Sequence, residues 1–136
     1  MDFYSKRPPL VADERTTPAG LVSHMRWTEH CWFNVVFLGE SSADNPQFQK
    51  EPKDADMRVD GVPLARLLGE FEAQFAQSNE IVAGHSLDDL GKDQEFTPTL
   101  RWILLHMVEE NARHVGHLDI MRELLDGKKG YYSSVR

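Results

Sequence analysis

A single cysteine, Cys31, stands in a chain of 136 residues. No intrachain disulfide and no cysteine-only metal site can form, and a reducing, cytoplasmic setting is expected. Long apolar runs are missing as well. Nothing approaches the roughly 18 consecutive apolar residues of a membrane span, and the opening MDFYSKRPPLVADERTT has neither a basic n-region nor an apolar h-region. Neither a membrane anchor nor a secretion signal is expected. Basic charge is scarce: 15 Lys and Arg against 22 Asp and Glu give −7. No stretch gathers the bases into a patch, which argues against a nucleic-acid partner. Alternating strand-length runs, internal repeats and low-complexity tracts are absent. What remains is a chain of one-domain length, 40% apolar, with enough material for a core that needs no staples.

Three helices account for most of it. Thr17-Pro18 is a start signal, because threonine can accept an orphan N–H and proline at the first helical position loses nothing. The first helix is expected from Pro18 to Leu38, with Gly39 as its stop. Glu40 to Asp60, about 21 residues, is longer than an ordinary loop and is expected to be functional or draped over the core. A second helix is expected from Pro63 to Ala83, with Leu64, Leu67, Leu68, Phe71, Phe75 and Val82 near a helical period, and Gly84 ends it. The polar link His85 to Phe96 is expected to anchor through Leu87 and Leu90. Thr97-Pro98 repeats the start signal, and the third helix runs to Asp126 with Gly127 as its stop. The expected organisation is an extended arm over 1–16, an all-α up-down bundle over 17–132 and a tail over 133–136.

The chemistry concentrates on the third helix, which carries three of the six histidines: His106, His114 and His117. At about 100° per residue, with His106 at zero, Glu110 falls at about 40°, Arg113 at about −20°, His114 at about 80° and His117 at about 20°. They form one stripe beside the apolar face of Ile103, Met107, Ala112, Leu118 and Met121. His106 and His117 are about 16 Å apart along the axis, too far to share one ion. Ligand pairs at i and i+4 are His106 with Glu110 and Glu110 with His114; His114 with His117, at i and i+3, is a third option. A facing helix must add another donor, and His24 lies on an apolar stripe of the first helix. His30 is expected on the surface and Cys31 in the core. The alternative reading is a hydrogen-bonded polar network that fixes the core without metal.

Two segments carry a resemblance: Thr17-Pro-Ala-Gly-Leu-Val-Ser-His24-Met-Arg-Trp27-Thr-Glu29-His-Cys-Trp32-Phe33, and Arg101-Trp102 through His106, Glu110-Asn-Ala-Arg113-His114-Val-Gly116-His117-Leu-Asp119 to Asp126-Gly127. In this order, with the middle helix and the Ser86 to Leu90 link, the chain resembles the DinB-like superfamily over roughly residues 15–132, in particular its actinobacterial branch with mycothiol-dependent S-transferase-like metalloproteins. The resemblance implies a four-helix bundle holding a divalent metal, Zn, Ni or Fe. Its ligands fall on His24, Glu110 and His114, with His117 or His106 sharing the work. Glu110 stands where a histidine is usual.

The resemblance also implies a transferase that uses a low-molecular-weight thiol such as mycothiol, bacillithiol or glutathione on a small-molecule substrate. A divalent ion with an open position lowers the pKa of a thiol it binds. No Ser-His-Asp set or activated cysteine competes with that chemistry. A metal-assisted hydrolase and a non-catalytic stress-associated or interaction protein are the alternatives. The first helix usual in the superfamily is missing, so either the arm or a second subunit closes the bundle, and a homodimer is expected.

Overall fold

The computed structural model describes residues 16–128. The arm expected over 1–16, apart from Thr16, and the tail expected over 133–136 lie outside them. Helix α1 spans Pro18–Glu29: Thr17 is extended, its Oγ1 accepts from Gly20 N at 3.0 Å, and Pro18 occupies the first turn. The helix does not continue to Leu38 in α geometry. From His30 to Phe37 it widens into a π segment, in which the Leu38 N–H reaches back five residues to the Phe33 carbonyl at 3.1 Å. Trp32, Phe33, Val35, Val36 and Phe37 are aromatic or β-branched residues with little preference for a tight α turn. The wider winding buries every residue from Cys31 to Phe37. Gly39 follows at φ +74°, the left-handed conformation that its position after the helix requires.

Helix α2, Leu64–Ala83, and helix α3, Leu100–Asp126, each pack against α1 and the π segment, so the rod they form is the centre of the bundle. The apolar core joins Cys31, Trp32, Phe33, Val36 and Phe37 to Ile81 of α2 and to Leu100, Ile103 and Met107 of α3. No strand occurs among the described residues; Leu90 and Thr99 form an isolated antiparallel bridge.

Several sequence expectations shift. α2 turns Leu67, Gln74, Ser78 and Ile81 inward and leaves Leu64, Leu68 and Phe75 about half exposed. The inner face is partly polar because it meets polar partners: Gln74 Nε2 donates to Asn34 Oδ1 at 2.9 Å, and Ser78 bonds to Glu29. Leu87 and Leu90 are exposed, so they anchor nothing; the link is held by backbone bonds, Arg101 N to Leu87 O and Leu100 N to Asp89 O, both 2.9 Å. α3 starts two residues later than Pro98, because Thr99 is the cap, its Oγ1 accepting from Trp102 N at 3.1 Å. Ala112 faces solvent rather than the core.

Candidate metal centre

Helices α1 and α3 run antiparallel, and their register brings the histidine stripe of α3 onto α1. The His24 and His114 rings meet edge to face with centroids 4.7 Å apart. Further along, Trp32 meets the His106 ring at 4.6 Å. Between these two contacts lies Glu110, with Oε2 3.2 Å from His114 Nε2 and Oε1 3.4 Å from His106 Nε2. His106 is buried and also stacked on Trp102, centroids 5.0 Å apart and planes 9° from parallel. The two tryptophans therefore fix the imidazole that supports one oxygen of Glu110. The other oxygen is left to His114.

The loop between α1 and α2 completes the arrangement, and it supplies residues that helical spacing could not reveal. His24 donates from Nδ1 to Oδ2 of Asp56 at 2.6 Å. Asp56 is 6% exposed, and its backbone carbonyl accepts from Ser23 Oγ at 2.5 Å. Gln47 Nε2 donates both to the same Asp56 oxygen and to Thr28 Oγ1, each at 3.0 Å. Burial pushes the Asp56 carboxyl up, but the bond from His24, the attraction of that imidazole and the bond from Gln47 outweigh it and hold the pKa below the ordinary aspartate range. Asn45, fully buried, donates to the Trp27 carbonyl at 3.1 Å and contacts His30 Nδ1 at the same distance. His30 is thus half-buried under the loop rather than a free surface residue; burial and then the Arg26 charge push its pKa down. The loop's length was the one signal in the sequence that it does more than connect.

The donors fit a divalent ion by their chemistry. Two imidazoles and a carboxylate from two helices are a set that zinc and non-haem iron accept. With Nδ1 of His24 engaged by a buried carboxylate, Nε2 is the nitrogen left for a ligand, the arrangement in which outer-shell carboxylates orient metal-binding histidines. In this structure the groups form two hydrogen-bonded pairs, Asp56 with His24 and Glu110 with His114, that meet through the contact of the two rings, and among the described residues no three His, Cys, Asp or Glu side chains converge as a ready first shell. His117, half-buried one turn beyond His114, contributes no hydrogen bond or ring contact to the group among the described residues. Cys31 is buried, and desolvation, then the charges of Asp93 and Glu110, push its thiol up to about 12. A cavity of about 250 Å³ lined by Phe37, Leu38, His85, Asp89, Leu90 and Lys92 involves none of these donors.

No described helix is long and apolar enough to cross a membrane. No curated protein and no solved structure matches the chain. The family model described as mycothiol-S-transferase matches residues 5–127, which takes in both helices of the histidine cluster and the loop that orients it. With that match and its helical bundle, the chain belongs to the mycothiol S-transferase family of DinB-like proteins.

Proposed function

We propose that the protein is a divalent-metal-dependent transferase that joins a low-molecular-weight thiol of the mycothiol type to an electrophilic small molecule. The observation that carries this reading is the Asp56–His24–His114–Glu110 arrangement: a histidine oriented by a buried carboxylate, against a second histidine and a carboxylate on the facing helix. His24, Glu110 and His114 would hold the ion, with His117 or His106 adjoining. Bound there, a divalent ion makes thiolate available at neutral pH by lowering the pKa of the thiol it binds.

The remaining residues have roles of their own. Asp56 and Gln47 keep the His24 ring in one tautomer and orientation. His106, pinned by Trp32 and Trp102, holds one Glu110 oxygen and so directs the other toward His114. Cys31 offers no nucleophile, since its thiol is protonated and shielded at any physiological pH. In this reading the reacting sulfur would be that of a separate thiol, and the match to the mycothiol-S-transferase family supports it.

The test is consumption of an electrophile with mycothiol, bacillithiol or glutathione, before and after chelation, together with metal content of His24→Ala and His114→Ala. Thiol-dependent, chelator-sensitive turnover is expected, with less than stoichiometric metal in both variants. Equal rates without thiol would leave hydrolysis, and full metal in both variants would remove these ligands.

A further inference from the structure

Helix α3 is apolar on two opposite sides. One side carries Ile103 and Met107 into the core. The other carries Leu105, Val108 and Val115, which are 66%, 68% and 55% exposed, with exposed Ala112 among them. Steps of three, four and three residues are those of a helix–helix seam. At about 100° per residue this line lies within about 60° of the point opposite Ile103, so no described element covers it. Arg101 and Asp119 extend the line at its two ends, both about half exposed.

We propose that this outer face of α3 is where two copies of the chain pair, antiparallel, about a twofold axis. The occupant is a second copy because the face complements itself. An axis at the level of Glu110 sets Leu105 against the partner subunit's Val115 and Val108 against the partner subunit's Ala112. The same operation sets Arg101 against the partner subunit's Asp119, and the reverse at the other end. A parallel pairing would oppose arginine to arginine and aspartate to aspartate. Arg101 and Asp119 now hold surface contacts with Asp88 and Arg122; such contacts are worth little and leave both side chains free to re-pair. An isologous contact is also the commonest route by which soluble chains cover an apolar face. The line Leu64, Leu68 and Phe75 on α2 has no opposite charges at its ends and offers no such self-match.

The stretch from Arg101 to Asp119 covers about 27 Å of helix. One helix pair of that length sits at the small end of specific interfaces, so association in the micromolar range is expected. Sedimentation of the full chain from about 1 to about 100 µM brackets that range. A shift from one chain to two is expected. Val108→Glu is expected to weaken pairing at least about tenfold, with far-UV circular dichroism unchanged; Val108→Ser serves if the charged variant loses helix. Arg101→Asp and Asp119→Arg should each weaken it, and the double variant should recover to within about threefold. The two positions are too far apart on one helix to rescue each other within a chain. A single-chain mass at the highest concentration, indifference to the Val108 variants, or no recovery in the double variant would overturn the proposal.

Discussion

Replacing Asp56 by alanine removes the acceptor of two hydrogen bonds, from His24 Nδ1 at 2.6 Å and from Gln47 Nε2 at 3.0 Å. A bond to a charged acceptor contributes about 1.5–3 kcal/mol, and a buried donor left without its acceptor carries a penalty of similar size. The sum is discounted because the His24 side chain is 27% exposed and water can reach it. A loss of about 2–3 kcal/mol is expected, read from urea unfolding of the metal-free protein. Zinc affinity, measured by competition with a chromophoric chelator, should fall about 10- to 100-fold, the usual consequence of losing a carboxylate that orients a ligand histidine. Asp56→Asn keeps an acceptor and should fall between alanine and wild type in both assays. The sign with pH follows from the lowered pKa of Asp56. Its stabilisation is present above the ordinary aspartate range and is lost as pH falls through the depressed value, so the wild type should lose stability over that acid range and Asp56→Asn should lose less. A stability change under about 0.5 kcal/mol with zinc affinity within about twofold would refute the claim that Asp56 orients His24.

Glu29 is buried and, with desolvation opposing the bonds from Ser78 and Asn111, its pKa is raised. The folded state then holds a proton that the unfolded state has released, so wild-type stability should decline as pH rises from the ordinary glutamate range to the raised value; Glu29→Gln should flatten that decline in pH-dependent unfolding. At Gly20 an added Cβ would lie 2.9 Å from the Met57 carbonyl oxygen. Gly20→Ala should therefore lower the melting temperature by the equivalent of about 1–2 kcal/mol, because displacing that backbone outweighs the better helix propensity; an unchanged or raised value would mean the loop is not held that close. Cys31→Ala should keep thiol-dependent turnover and cost about 1 kcal/mol of stability, and native Cys31 should react with a disulfide reagent only on unfolding; fast native reaction at pH 8 would contradict its burial.

The helices were legible because their ends carry local chemistry. Thr17, Pro18, Gly39 and Gly127 act on the few residues next to them, and each stands where the chain was expected to start or stop. The approach of Glu110 to both α3 histidines also followed from spacing, since α geometry fixes which residues of one helix share a face. The meeting of His24 with His114 did not, because spacing along one helix says nothing of its register against another, and only the family resemblance set the two side by side. Asp56 and Gln47 were not legible. They lie in irregular backbone, where no period relates a residue's number to its direction, and only the loop's unusual length pointed there. The π segment was missed for a related reason: a 100° step assumes α winding, and the departure at His30 is set by tertiary packing of a run that is buried on all sides. Leu87 and Leu90 misled because apolarity alone does not say whether a link lies against the core or is held by its backbone.

The buried polar groups give the bundle a property that its apolar contacts do not. Glu40 accepts from Asn34, Asn34 accepts from Gln74, Gln74 reaches Ser78, and Ser78 and Asn111 both bond to Glu29. This chain crosses from the π segment to α2, back to α1 and on to α3. An apolar side chain that slides by one turn finds another apolar neighbour and loses little, whereas an amide that slides finds none. Moving α2 by one turn against the central rod would leave Gln74, Asn34 and Ser78 unsatisfied at about 1–3 kcal/mol each, a penalty comparable to the whole stability of a small domain. The chain therefore acts as a register key: it selects one axial alignment among packings of similar apolar content, and so sets the level at which His24 meets His114.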